Sequence, residues 1–339
     1  MDPLTHTLAG ANLAATRLGQ TSRFAAAALV VGANLPDVDS ILYFTGHQDL
    51  AYGFRRGWTH GVLALVVLPF VQTALLLLLD RLRPHATRRA NAKALLLLSF
   101  LAIASHPFLD WLNTYGMRWL MPFRGTWYYG DSVYIMDPWL WLILGAGWLI
   151  GKRATIPLIG AWLFFAGAIS WVVSGRAPEY LPLIATVAVL LLVALLWPAK
   201  RSFATAALIL ATLYIGARLG IHAYALREVS RELPRARRLL VGPHPIDPRR
   251  WNVVAELPDA YHYAEYRLGG GVTMHDDTLP LPDDSPEYRA ARAHPDVQGF
   301  MTWVRFPSYK AEGKRVTLYD ARRRGSEGHV VVLPGVPGS

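Results

Sequence analysis

The 339 residues contain no cysteine. That excludes a disulfide-stapled secreted module and any thiolate metal site. Charge is also scarce: Asp, Glu, Lys and Arg make up 17% of the chain, against about a quarter in an average soluble domain. A disordered or nucleic-acid-binding tail is excluded as well, because such segments are charge-rich and poor in aromatics, whereas 12% of this chain is aromatic. With 53% hydrophobic residues and a mean hydropathy of +0.25, the sequence is too apolar for water alone. The most uneven scarcity concerns acids. The first 178 residues hold no glutamate and only eight aspartates.

What is present in excess is positive charge, +10 in total, and its placement is informative. Residues 1–222 carry 17 Lys/Arg against 9 acids, and residues 223–339 carry 17 against 15. The surplus therefore belongs to the apolar part, where it orients helices in a membrane rather than attracting nucleic acid. No nucleic-acid partner is expected.

Uncharged apolar windows recur at Gly61–Leu79, Ala154–Gly175 and Tyr180–Ala199, with shorter ones at Ala94–Leu109, Pro138–Gly151 and Ser202–Ala217. About 20 apolar residues span a bilayer as a helix, and lipid leaves unpaired backbone groups no water to bond. Phe24–Pro36 reads as a helix that continues past Asp37 and Asp39 to Phe44. Residues 3–18 read as a less apolar helix, with Asp2 as N-cap, Pro3 at the first helical position and Gly19 as the stop. The pattern predicts an all-α polytopic membrane domain over residues 1–222, with about eight helices, six or seven of them spanning. The first residues lack a basic stretch, so a cleavable signal peptide is not expected. After residue 222 the composition shifts to short β-branched and aromatic runs between Pro, Gly and Asp. Residues 223–339 are therefore predicted to form a helical leader (222–239) and a β-rich domain, with strands at Trp251–Leu257, Tyr261–Leu268, Gly299–Phe306, Arg315–Tyr319 and Val330–Leu333. Basic loops at 80–93, Lys152–Arg153 and Lys200–Arg201 put that domain on the outer side of an integral plasma (inner) membrane protein. Arg55 and Arg56 oppose this orientation.

An ionisable group in a membrane segment is costly and marks a candidate site. His106 and Asp110 stand four apart in "SHPFLD", on one helix face. His60 opens a helix in "RGWTH", His6 lies in the first turn of "MDPLTH", and Asp37 and Asp39 follow Pro36. The orientation places all six at outer helix ends. Three His and three Asp form a ligand set for a divalent metal, one or two ions, with Zn²⁺ first and Mn²⁺ or Fe²⁺ as alternatives. Blander readings exist for each residue alone. A lone His on an apolar face is usually structural, the His/Asp pair can be a helix-face hydrogen bond, and "LPDVD" can be a helix stop. Convergence on one side of the membrane favours the metal reading. Thr5, Thr59 and Asn113 are candidates for orienting the ligands.

"MDPLTHTLAG", "NLPDVDSI", "RRGWTHG" and "SHPFLDWLNTYG" together resemble the membrane-bound metal-dependent hydrolase family, the YdjM-like proteins, which is distantly similar to zinc-dependent phospholipase C. The resemblance covers residues 1–116 and reappears near "GPHPIDPRRWNVV". It implies metal ligation at His6, Asp37 or Asp39, His60, His106 and Asp110, and hydrolase activity only loosely.

The function expected on these grounds is metal-dependent hydrolysis at the outer leaflet, of a phosphoester in a membrane lipid or lipid-linked substrate. Asp37 or Asp39 would accept a proton if not itself a ligand. Arg56, Asn113 and Arg124 are the candidate substrate contacts, the arginines through an anionic group. A cluster from Trp111 to Tyr129 reads as an aromatic belt. No Ser nucleophile elbow is present. The alternatives are a membrane scaffold with a structural metal and a metal or proton transporter; the second is disfavoured because the later helices carry almost no polar groups.

Overall fold

The computed structural model describes the chain apart from residues 83–88, 151–154, 157, 161, 162, 164, 165, 168, 169, 171–180, 197–202, 246, 325–327 and 334–339. The chain divides into two compact units. The first comprises Met1–Asp37, Thr59–Gly220 and Pro245–Pro248; the second comprises Val38–Trp58, Ile221–His244 and Arg249–Ser339. Residues 38–58 thus count with the C-terminal part, a division that the composition shift at residue 222 does not signal.

The first unit is helical. Its α1 (Pro3–Ala15) starts as its sequence dictates: the Asp2 carboxylate accepts from the Leu4 and Thr5 N–H groups, and Pro3 occupies the first turn. It stops earlier than Gly19, because Thr16 turns extended and its N–H bonds the Leu13 carbonyl. Next come α2 (Ala25–Gly32), α4 (Val62–Arg81), α5 (Ala92–Trp111), α6 (Pro138–Leu149) and α7 (Leu181–Leu196). The short α3 (Gln48–Phe54) lies in the second unit, and α8 (Ala204–Glu232) passes from the first unit into the second at residue 220. Between α2 and α3 a 3₁₀ helix covers Leu35–Phe44 and carries both Asp37 and Asp39. The expected single helix from Phe24 is therefore broken at Ala33–Asn34. Pro36 has no N–H to donate to the Gly32 carbonyl, so the α-helical ladder cannot continue past the end of α2.

Among the described residues, three helices are long and apolar enough to cross a membrane: α4, α5 and α8. A broken pair, Ala25–Gly32 with Leu35–Phe44, raises the number to at most four. This corrects the six or seven expected. For α6 the reason is length: its 12 residues reach about 18 Å at 1.5 Å per residue, against a hydrocarbon core of about 30 Å, while α7 is described over 16 residues only. The window Ala154–Gly175 lies largely outside the described residues, as do most cations of the three basic loops. On α4 the large side chains Val66, Phe70, Leu75 and Leu78 are exposed, an apolar surface suited to lipid.

Packing in this unit uses small residues and a few buried amides. Ala28, Leu29, Leu76, Leu98 and Ala102 form a core between α2, α4 and α5. At Gly32 a Cβ would lie 2.9 Å from both the Ala102 Cβ and the Gln72 Oε1, so only glycine permits this approach of α2 to its neighbours. The Gln72 side chain donates to the Ala28 carbonyl at 2.8 Å, and Asn12 donates to the Leu144 carbonyl at 2.7 Å. In an apolar surround such bonds are costly to leave unmade.

The second unit is a mixed α and β structure. Strands β1 (Arg238–Pro243), β2 (Arg250–Glu256), β3 (Ala260–Arg267) and β4 (Gly271–Pro280) form an antiparallel meander in sequence order. A second antiparallel sheet contains β5 (Pro307–Glu312), β6 (Arg315–Asp320) and β7 (Gly328–Val332). The meander is covered on both faces. Trp251, Val253 and Tyr266 pack with Ala225 and Val229 of α8, whereas Val254, Tyr261 and Tyr263 pack with Phe306 and Ala321. Two-sided burial explains why β2 reads as a nearly continuous apolar run.

Two expectations for this region change. The helical leader ends at Glu232, and Arg238 and Leu239 already belong to β1. Gly299–Phe306 is not a strand: it begins with the short helix α10 (Gln298–Trp303), which follows α9 (Pro286–Ala293). The cause is tertiary. The Asp49 carboxylate accepts from the Gly299 and Phe300 N–H groups, both at 2.8 Å, and so caps a helix that lies 250 positions away.

Candidate metal centre

Helices α4 and α5 run in opposite directions, so the start of one lies against the end of the other. His60 precedes α4 by two positions, and His106 and Asp110 sit one turn apart near the end of α5. Asp37 arrives on the 3₁₀ helix after α2, which packs on both α4 and α5. Four ligand-type side chains from three segments thus meet at one end of the helix pair. His60, His106 and Asp110 are fully buried, and the Asp37 side chain is 13% exposed.

The donor atoms form a compact group. His60 Nε2 lies 3.5 Å from Asp37 Oδ1 and 3.5 Å from Asp110 Oδ2; His106 Nε2 lies 3.6 Å and 3.5 Å from the same two oxygens. All four atoms fall within 4.8 Å of one another. Donor separations of 3.5–3.6 Å are the edge lengths of a regular tetrahedron whose centre lies about 2.1 Å from each corner, in the range of Zn–N and Zn–O bonds of about 2.0–2.2 Å. The fit extends to the proton positions. His106 Nδ1–H donates to the Ala33 carbonyl at 2.7 Å, which leaves Nε2 with its lone pair. That buried Nε2 has no hydrogen-bond partner, an arrangement that burial penalises and a cation relieves. Thr59 Oγ1 lies 2.8 Å from His60 Nδ1 and holds that ring in the same way when it accepts. Nitrogen and carboxylate donors suit Zn²⁺ and other borderline divalent ions.

The remaining candidates fall outside this group of four. His6 is buried beside it: its ring stacks on His106 with centroids 3.7 Å apart, and its Nε2 is 3.3 Å from Asp110 Oδ1. The same oxygen pairs with the Met1 ammonium. Burial pushes the His6 imidazole down to about 3, and His106 adds to the effect, so the ring is neutral and available as a donor. Thr5 does not orient His6; its hydroxyl donates to Asp2 and accepts from the Trp141 indole. Asp39 is engaged elsewhere. Its Oδ1 accepts from Arg55 Nη1 at 2.8 Å and its Oδ2 from the Arg56 N–H at 3.1 Å, which ties down the 38–58 segment. Both of its oxygens are thereby committed, which leaves it a poor proton acceptor.

Of the three expected substrate contacts, Arg56 is buried at a left-handed backbone position of φ 52°. Asn113 is buried too, and its Oδ1 accepts from the Tyr115 N–H at 2.9 Å in the turn that ends α5. Arg124 is exposed. One participant was invisible to side-chain reasoning: the Ala33 carbonyl that orients His106 is a backbone group at the end of α2. The only sequence signal was the neighbouring Gly32.

Comparison with known proteins agrees in part with these residues. The uncharacterized protein YfhP of Bacillus subtilis (strain 168) is 25% identical over 143 residues, which cover 41% of this chain and 41% of that protein. The match thus spans under half the length of either. No solved structure matches. The family model for the YdjM inner membrane protein matches residues 1–179, which include every member of the four-residue group. The chain therefore belongs to the YdjM inner membrane protein family.

Proposed function

We propose that the protein is a membrane-embedded, metal-dependent hydrolase that acts on a phosphoester of a lipid or lipid-linked substrate at the outer leaflet. The observation that carries the reading is the convergence of His60, His106, Asp37 and Asp110 on one centre at helix ends. A divalent ion there, Zn²⁺ first and Mn²⁺ or Fe²⁺ as alternatives, supplies Lewis acidity toward a phosphoryl oxygen and lowers the pKa of water. The motif resemblance noted in the sequence, which implies a distant likeness to zinc-dependent phospholipase C, is in keeping with such chemistry. Helix ends lie at headgroup depth, so a lipid phosphate meets the site without leaving the bilayer.

The chain's own residues divide the work. The Ala33 carbonyl and Thr59 fix the two imidazole planes. His6 holds the second oxygen of Asp110. Asp37 is the one group member with solvent access, so it is the group through which a proton leaves. The charge bias of the sequence supports an orientation with the site and the C-terminal unit on the outer side of the inner membrane.

A second reading rests on the same geometry. Four protein donors complete a tetrahedral shell, which is the habit of structural zinc, whereas catalytic sites keep one position open. The protein would then be a membrane scaffold. Purified protein loaded with Zn²⁺ or Mn²⁺ and offered vesicles of phospholipid or polyprenyl phosphate separates the two. Headgroup or phosphate release that is lost in His60→Ala supports the hydrolase; stoichiometric metal without turnover removes it in favour of the scaffold.

A further inference from the structure

Between α5 and α6 the chain builds a braced loop with an apolar tip. Met117 and Tyr128 exchange backbone hydrogen bonds at 2.9 and 2.8 Å across its base. Trp127 stacks on Tyr129, and the Arg118 guanidinium lies over Trp127 at 4.9 Å. Gly116, at φ +90°, lies under the Tyr129 ring, where a Cβ would be 2.5 Å from a ring carbon. At the far end the Leu120 carbonyl accepts from the N–H groups of Phe123 at 2.8 Å and Arg124 at 2.9 Å, which closes the turn. On this frame Phe123 is 80% exposed, Leu120 is exposed, and so is Arg124, the next residue after Phe123.

A large aromatic ring held out by a closed turn is costly in water, because the frame denies it a fold-back contact. The surroundings indicate what covers it. The Val62 N–H donates to the Trp119 carbonyl at 2.8 Å, so the loop is fastened to the start of α4. There Val62, Leu63 and Val66 begin the exposed apolar stripe of a helix long enough to span the bilayer. The tip is thus continuous with a lipid-facing surface. Arginine beside apolar residues is the composition of the headgroup boundary, where the stem stays in hydrocarbon and the guanidinium bonds phosphate.

We infer that the Leu120–Arg124 tip is an interfacial lipid anchor: Phe123 and Leu120 enter the acyl region of one leaflet, and Arg124 holds a phospholipid phosphate. The inference requires that α4 and α5 sit in a bilayer and does not depend on hydrolysis. Because the tip is fastened two positions after His60, it would set the depth of the His/Asp group relative to the headgroups. A protein partner over the tip is the competing occupant.

The absence of cysteine makes the test direct. Phe123→Cys carries a single nitroxide label in protein reconstituted into vesicles of phosphatidylethanolamine and phosphatidylglycerol. Leu97→Cys on the exposed face of α5 and Lys314→Cys in the β5–β6 turn serve as lipid and water references. The expected result is a label at 123 that collides with oxygen and is shielded from a water-soluble nickel chelate, as at 97. Accessibility to the chelate as at 314 overturns the anchor, and shielding from both probes assigns the tip to a protein contact and overturns it as well. For the phosphate, Arg124→Gln should raise chelate access at 123 several-fold, and millimolar inorganic phosphate should not. An unchanged value in Arg124→Gln, or a response to free phosphate, removes the lipid-phosphate contact.

Discussion

Asp37 and Asp39 stand two positions apart in one 3₁₀ helix, yet their carboxylates meet opposite chemistry. Asp37 faces the imidazoles of His60 and His106 in the helical unit. Asp39 is held by Arg55 and the Arg56 N–H in the other unit. The contrast holds more widely. Several acids of the C-terminal unit are paired with arginine, as in Arg250–Glu265 at 2.8 Å and Arg322–Asp320 at 2.6 Å, or cap backbone N–H groups as Asp49 does. In the helical unit His6, His60, His106 and Asp110 are fully buried against one another. Asp110 has the Met1 ammonium on one oxygen, and its other oxygen and Asp37 face the imidazoles, where a divalent cation would offset the cost of burying a second carboxylate. The helical unit also holds fold contacts of this kind, such as Arg23–Asp80 at 2.7 Å, so a buried acid takes its meaning from its neighbours: a fold contact where arginine is at hand, a ligand where buried histidines converge.

Substitution of the two aspartates breaks the comparison most sharply. Asp37→Asn is expected to lower bound metal from stoichiometric to trace, measured by mass spectrometry of the purified protein. Asp39→Asn should retain the metal and lose about 2 kcal/mol of stability, the value of a hydrogen bond to a charged group, read by denaturant titration. Equal metal loss in both variants would erase the distinction. Gly32→Leu tests the support behind the ligand. Its side chain forces α2 away from Ala102 and Gln72 and moves the Ala33 carbonyl off His106. Metal affinity should fall by about 10–100-fold in a competition titration; unchanged affinity would make that carbonyl irrelevant.

The halves of this pattern were unequally legible in sequence. His60, His106 and Asp110 stood out because polar residues are rare in apolar helices, and the N-cap at Asp2 followed from local chemistry. The fate of Asp39 was not legible, since its partner Arg55 lies on a segment that joins the other unit. Nor was α10: its residues favour strand, and a cap from Asp49 outweighs them. The number of spans was overstated because apolar composition does not fix helix length, as α6 demonstrates.

Smaller effects belong to the C-terminal unit and should leave the metal untouched. Asp49→Ala removes the cap of α10 and should cost about 1 kcal/mol, seen as a lower denaturation midpoint at constant metal content. His329 gives the smallest effect. Burial holds its pKa below the ordinary value, so it is neutral in the folded unit while the unfolded chain takes up a proton near pH 6.5. Stability is therefore full above that pH and declines as pH falls below it, by at most about 1.4 kcal/mol per pH unit. His329→Gln should flatten that slope; an unaltered slope would assign it to another group.

The central claim is that four side chains bind one divalent ion. X-ray absorption on the zinc-loaded, detergent-purified protein, with His106→Ala beside it, tests this directly. The account predicts one ion per chain, with about four nitrogen and oxygen neighbours near 2.0–2.2 Å, and loss of that signal in the variant. Equal metal content and an identical spectrum in both proteins would contradict it.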